Sequence, residues 1–80
     1  MMEAYSAKDL GRAVRSLRKQ RGWTQEELSE WCGVNRKTIM ALERGGPVSI
    51  EIAMRALALL GAKVVLVQKG ARMVEESSAT

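Results

Sequence analysis

A single glycine between two short helical segments limits the fold of this chain more than any other feature. Thr24 and Glu27 have the spacing of a capping box, in which each side chain accepts a hydrogen bond from the other residue's backbone N–H. They predict a helix over residues 25–32. Gly33 follows at once, where a left-handed residue is needed to end that helix. The chain is therefore expected to turn sharply within a few residues.

The segment after this turn predicts a second helix, over residues 36–44. Asn35 is a good N-cap for it, and Gly45 with Gly46 is a good end. Two short capped helices joined by a tight turn form a helix-turn-helix, a unit whose second helix enters the DNA major groove. The pattern thus predicts a DNA-binding unit with residues 36–44 as its recognition helix.

Two more helices are expected around this unit. Ser6 is a cap for a first helix over roughly residues 7–20, whose apolar residues recur every three or four positions. Ser49 begins a fourth helix that Gly61 ends. Because this fourth helix is apolar on several faces, we expect it to be central in the fold.

Residues 63–69 predict a β-strand, because three valines and a leucine lie here between two lysines. One strand cannot satisfy its own backbone groups, and residues 1–5, the other short extended segment, are poor in strand formers. We therefore expect the strand to pair with its copy in a homodimer. The alternatives are that it extends the fourth helix or packs irregularly. The side chains expected in the dimer interface are Val64, Val65, Leu66 and Val67.

Eighty residues are one domain at most, and a chain of this size buries only a modest share of its surface. We expect residues 1–70 to form the domain and residues 71–80 to be a flexible tail, since the tail has little apolar content. A homodimer would bring two recognition helices together. It predicts double-stranded DNA with an inverted repeat as the partner, with half-sites about one helical turn apart.

The charge of the chain suits a polyanion. The formal net charge is +4, and residues 1–22 account for all of it with six basic and two acidic residues. A solvated basic face is the alternative interpretation of the same pattern. The chain has no histidine and no cluster with metal-ligand spacing, so neither catalysis nor a cofactor is expected. The lone Cys32 is expected to be a buried hydrophobe, and the absence of a signal peptide or membrane span predicts a cytoplasmic protein.

The predicted recognition helix leaves its basic side chains outward. Arg36 and Lys37 at its amino end could donate to guanine O6 and N7, whereas Ala41 could touch a thymine methyl group. Gln25 lies at the amino end of the preceding helix, which suits a phosphate. The predicted DNA contacts are Gln25, Asn35, Arg36, Lys37, Thr38, Ala41, Arg44 and Arg18, with Arg15 and Lys19 as further candidates for phosphate.

At these positions the chain resembles the Cro/repressor-type helix-turn-helix proteins, also called the XRE family, over residues 8–61. The resemblance implies a mainly α, four- to five-helix lambda-repressor-like domain that binds DNA. Trp31 departs from the family pattern; we expect it to lie against Leu28 or Trp23, with a partner-binding anchor as the alternative. The matching residues are Thr24, Gln25, Leu28, Gly33, Val34, Thr38, Ile39, Glu43 and Gly45.

The fourth helix followed directly by a strand is similar to the HipB-type antitoxins. That resemblance implies a homodimer with an intermolecular C-terminal β-sheet, repression of the protein's own operon, and a HipA-like serine/threonine kinase toxin as a possible partner. One alternative is a stand-alone or phage-type transcriptional regulator without a toxin. Another is a protein-interaction module that has kept the fold.

Overall fold

The structure, a computed structural model, describes residues 2–66, which form four helices with short connections. The four predicted helices are confirmed, and residues 2–66 contain no further helix and no strand. The helices are α1 (Ala7–Gln20), α2 (Gln25–Cys32), α3 (Arg36–Arg44) and α4 (Ile50–Leu59).

Side-chain caps set where the helices begin, and left-handed glycines end the two helices of the central unit. The Thr24 hydroxyl accepts from the Glu27 N–H while the Glu27 carboxylate accepts from the Thr24 N–H, so the predicted capping box is complete. Gly33 and Gly45 end α2 and α3 with φ of 71° and 81°. These two glycines therefore fix the turn before α3 and the chain direction after it.

The core lies where α1 and α2 meet the inner face of α3, with α4 packed against α2. α1 and α2 both pack against α3, and α2 also packs against α4. The buried apolar residues are Val14, Leu28, Cys32, Ile39, Leu42, Ala53, Ala56, Leu57 and Leu60. Cys32 is 1% exposed, as expected for a small buried hydrophobe.

The prediction of a central α4 is wrong for one of its faces. Ala53, Ala56 and Leu57 are buried against the core, but Ile50 is 79% exposed and Met54 is 46% exposed. α4 therefore carries apolar side chains on more of its surface than the rest of the described chain covers. None of the helices in the described part of the chain is long and apolar enough to cross a membrane.

α1 and α3 approach each other most closely at Gly11. A Cβ atom built there would lie 2.4 Å from the carbonyl oxygen of Leu42 and 2.5 Å from that of Glu43. These distances are far below van der Waals contact, so only glycine fits. Gly11 thus sets how closely α1 packs on the carboxyl half of α3.

Residues 63–66 leave α4 as irregular chain, so the alternative in which this segment extends the helix is excluded for these residues. Val64, Val65 and Leu66 are 49%, 64% and 92% exposed. Val67 and the rest of the predicted strand, residues 67–69, lie outside the described residues, as does the predicted tail, residues 71–80. The predicted pairing across a homodimer therefore remains a prediction.

A groove of about 340 Å³ lies beside this segment. The amino-terminal residues 2–4 form one side and residues 62–65 another, with the floor contributed by α1 and α4. Apolar residues dominate this floor, among them Leu10, Leu17 and Leu57. We call this feature the terminal groove.

Candidate nucleic-acid interface

The amino end of α3 carries two exposed basic side chains, Arg36 and Lys37. Neither forms an ion pair within residues 2–66. α3 begins just after the turn at Gly33, so both side chains lie in the first turn of the helix, exposed to solvent. Their guanidinium and ammonium donors are thus available for an acceptor outside the chain.

Asn35 serves first as the cap of α3. Its Oδ1 accepts a hydrogen bond from the Lys37 N–H at 2.7 Å. The oxygen that a paired contact to adenine needs is therefore already engaged, and the side-chain amide donors remain for DNA. Thr38 and Ala41 are half-buried further along α3, while Arg44 is exposed in its last turn.

Gln25 opens α2 and is half-buried. Its Nε2 donates to Oε1 of Glu43 at 3.1 Å, which uses one of the two amide hydrogens and fixes the side chain. The Gln25 and Glu26 backbone N–H groups belong to the first turn of α2 and have no partner within the helix. The site therefore offers backbone and side-chain donors at the positive end of a helix dipole, which suits a phosphate oxygen.

Arg18 does not occupy the position that the sequence predicted for it. It is 7% exposed, and its Nε and Nη2 donate to the two carboxylate oxygens of Glu43 at 2.6 and 3.1 Å. Its Nη1 donates to the carbonyl oxygen of Trp23 at 2.7 Å. Each of the three guanidinium nitrogens thus donates to an acceptor inside the fold. The prediction that Arg18 binds a DNA phosphate is therefore wrong, and Arg18 instead forms a buried ion pair with Glu43.

Glu43 is the residue whose role sequence reasoning missed. Its carboxylate, 7% exposed, accepts from both Arg18 and Gln25 and so joins α1, α2 and α3. The sequence did contain a signal, because Glu43 lies four residues after Ile39 and one after Leu42, on the inward side of α3. A charged residue at an inward position indicates a buried partner.

An open groove of about 580 Å³ joins the beginnings of α2 and α3. Gln25 and Arg36 lie on it together, and Lys19 at the end of α1 contributes a further positive charge. We call this feature the reading groove. It places a candidate phosphate site and a candidate base-reading side chain on the same surface.

Trp31 lies against Trp23, one of the two neighbours that the sequence predicted for it. The two rings meet edge to face, with centroids 4.6 Å apart, and Trp31 remains 49% exposed. Arg21 stacks over Trp23 at 5.1 Å from the ring centroid and donates to the Leu60 carbonyl oxygen at 3.0 Å. The aromatic pair and Arg21 together thereby link the end of α1 to α2 and to the end of α4.

Comparison with known proteins identifies the family. The sequence profile described as "Helix-turn-helix domain" matches residues 9–69, most of the chain. The chain belongs to this helix-turn-helix family. The match confirms the predicted Cro/repressor-type resemblance, and the family consists of DNA-binding regulators and not of enzymes.

One curated relative of this helix-turn-helix chain is the competence pilus inhibition repressor of Acinetobacter baylyi. It is 49% identical over 37 residues, which are 46% of this chain and 34% of that protein. The chain therefore matches about a third of the relative's length. The match and the family profile together show a shared helix-turn-helix domain.

Solved structures of HipB have the same fold. The HipB–O4 20mer complex superposes with a TM-score of 0.77 at 27% identity, covering 86% of this chain and 99% of that chain. In the HipA–HipB–O2–O3 complex the TM-score is 0.76 at 27% identity, with the same coverage. The predicted similarity to HipB-type proteins is confirmed for the fold.

Proposed function

We propose that this chain is a sequence-specific transcriptional repressor that binds an inverted-repeat operator as a homodimer. The observation that carries the proposal is the reading groove. It combines a Gln25 side chain held by Glu43 with an exposed Arg36 at the start of α3, which forms no ion pair within residues 2–66. The Arg18–Glu43 ion pair holds α1 and α3 in one geometry, so the donors are organised before DNA binds.

Each DNA-facing residue has a proposed role. Arg36 and Lys37 donate to base edges in the major groove, and Ala41 and Thr38 contact bases further along α3. Gln25 with the first turn of α2 binds one phosphate. The remaining proposed contacts are Arg44 to a phosphate and the Asn35 amide to an acceptor beside the cap.

The homodimer is the second part of the proposal. The apolar residues 64–66 support it, because residues 2–66 leave 49% of Val64, 64% of Val65 and 92% of Leu66 exposed beside the terminal groove. We propose that residues 63–69 of two chains pair as antiparallel or parallel strands, covering Val64, Val65, Leu66 and Val67. Such a dimer would set two α3 helices about 34–36 Å apart on the duplex.

The test of base reading compares Arg36→Ala with Arg44→Ala on duplexes that the unmodified chain selects from a random pool. Loss of a paired guanine contact is worth about 1–3 kcal/mol, so Arg36→Ala is expected to relax preference at one position of each half-site. Arg44→Ala is expected to weaken binding to all duplexes equally. Unchanged base preference in Arg36→Ala would contradict the assignment.

We further propose that the repressor is the antitoxin of a HipA/HipB-type module, acts in the cytoplasm on its own operon and neutralises a HipA-like kinase toxin. The HipB likeness over 86% of the chain, including HipB in complex with HipA, supports this proposal. The alternative is a stand-alone or phage-type regulator. Purification of the untagged chain from its host tests the two, since an antitoxin should bring down a protein with kinase motifs and a stand-alone regulator should not.

A further inference from the structure

Four basic side chains form one narrow stripe along α1. They are spaced by four, three and four residues, so they fall within about 60° of one another around the helix axis and extend over about 16 Å. All of them are exposed. The stripe consists of Lys8, Arg12, Arg15 and Lys19.

Folding leaves most of this charge uncompensated. Arg12 forms an ion pair with Asp9, but no acidic side chain within residues 2–66 pairs with Lys8, Arg15 or Lys19. The buried partner that α1 does have, Glu43, is taken by Arg18 on another side of the helix. Lys8, Arg15 and Lys19 therefore carry no ion pair in the part of the chain that the structure describes.

The stripe is continuous with the reading groove. Lys19 lines that groove together with Gln25 and Arg36, and it also lines a second open groove of about 620 Å³ that Arg12 and Arg15 share. At the other end of the stripe, a Cβ atom at Gly45 would lie 2.8 Å from the Cα of Lys8. The stripe thus runs beside α3 from the last turn of that helix to the groove at its start.

We infer that Lys8, Arg15 and Lys19 form a phosphate track, a line of cations that binds the DNA sugar-phosphate backbone beside the base pairs that α3 reads. The inference rests on the proposed operator binding. One strand carries a phosphate about every 3.4 Å along the axis, so a stripe of about 16 Å spans roughly five base-pair steps. Gly11 and the Arg18–Glu43 pair hold α1 against α3, which keeps the track in register with the reading groove.

The track raises affinity without reading sequence, because its cations contact phosphates and not base edges. Lys8, Arg15 and Lys19, doubled in a dimer, would supply much of the salt dependence of binding. Base preference would still come from α3. Two neighbouring helices would therefore supply different properties: α1 would raise the affinity for DNA, and α3 would determine the sequence specificity.

The experiment measures operator affinity of the full chain against salt concentration for Arg15→Gln/Lys19→Gln. Each phosphate contact contributes about 0.9 to the slope of log K against log salt, so losing four cations per dimer should lower the slope by up to about 3.6. Affinity near 0.15 M salt should fall about tenfold or more, with base preference unchanged. The charge-conserving Arg15→Lys/Lys19→Arg variant should keep the slope of the unmodified chain.

Phosphate ethylation interference on the unmodified chain gives a second measurement that needs no variant. The track predicts a run of interfering phosphates beside each half-site, outside those expected at the α2 amino end. Unchanged slope in the Gln variant, or the absence of that run, overturns the inference even if the stripe then binds an acidic protein. Failure of the unmodified chain to select any DNA sequence would instead overturn the proposed function.

Discussion

Two regions of this small protein differ in how fully a single chain pairs and buries their side chains. At the junction of α1, α2 and α3 the Glu43 carboxylate is buried and accepts from both Arg18 and Gln25. At the terminal groove, the apolar side chains of residues 64–66 stay between 49% and 92% exposed in the described chain. The junction of α1, α2 and α3 is therefore organised within a single chain, whereas the terminal groove calls for a second surface.

The largest effect on stability is expected when the Arg18–Glu43 ion pair at the junction of α1, α2 and α3 loses one of its partners. Glu43→Ala would leave the buried Arg18 cation without its counter-charge, and only the Trp23 carbonyl oxygen would still accept from it; loss of such a partner costs about 3–5 kcal/mol. We expect a correspondingly lower free energy of unfolding, measured by urea titration. The exposed Glu30 on α2 forms no side-chain bond in the structure, so Glu30→Ala is the matched control and should change stability by about 0.5 kcal/mol or less.

A double replacement at the same ion pair distinguishes the contribution of Glu43 to stability from its role in positioning Gln25. Arg18→Met/Glu43→Leu removes both charges together, and apolar pairs of similar volume often restore or raise stability. Gln25 would nevertheless lose its acceptor at 3.1 Å. We expect near-normal unfolding with weaker operator binding; full affinity in this variant would show that Glu43 does not position Gln25.

The next effect is expected at the α1–α3 contact. Gly11→Ala would place a methyl group against backbone oxygens of Leu42 and Glu43, which cannot rotate away. Such overpacking costs about 1–3 kcal/mol, seen as a lower midpoint in thermal unfolding. Gly46→Ala is the control, because its Cβ would meet its nearest atom, the Ala41 carbonyl oxygen, at 3.4 Å. Equal effects of the two changes would contradict the close contact.

A smaller effect is expected in the region that one chain leaves open. Leu66 is 92% exposed, so Leu66→Asp should not destabilise an isolated chain. If residues 63–69 pair across a dimer, the new charge should produce 8.8 kDa monomers in sedimentation and weaken operator binding about tenfold, or 1.4 kcal/mol. Leu66→Ile should remain dimeric. A dimeric Leu66→Asp would refute the strand pairing.

The smallest effect concerns the amino-terminal edge of the terminal groove. The Tyr5 backbone N–H, which donates to the Asp9 carboxylate at 3.0 Å, lowers the pKa of that carboxyl. The stabilising contact is complete above the unfolded pKa and is lost as the pH falls through the lower folded pKa. We expect the protection factor of the Tyr5 amide, its exchange relative to an unstructured amide at the same pH, to fall in acid, and Asp9→Asn should remove this pH dependence. A Tyr5 protection factor that does not change with pH in the unmodified chain would contradict the prediction.

Local signals explain why the helices were predictable and Arg18 was not. Thr24, Gly33 and Asn35 act on the backbone within three residues, so they predict helix limits without knowledge of the fold. Arg18 is separated from Glu43 by 25 residues, and only packing brings them together. The sequence showed a basic residue among other basic residues, which gave no reason to treat it differently from Arg15.

The site and the dimer were predictable to different degrees for a similar reason. The outward position of Arg36 follows from helical periodicity once Ile39 and Leu42 are placed inward. The fate of residues 63–69 depends on a partner strand, and valine content alone cannot identify where that strand comes from. Residues 64–66 are exposed in the single chain, which agrees with a need for a partner but does not name it.

The close contact at Gly11 divides α3 into two halves with separate uses. Residues 42–45 are held by α1, whereas residues 36–38 and 41 face away from that contact. If residues 36–38 and 41 read bases as proposed, they could be exchanged as a unit without touching the α1 contact. A graft of residues 36–38 and 41 from another regulator would carry a new base preference into an unaltered scaffold, provided that Gly11 and the last turn of α3 are kept.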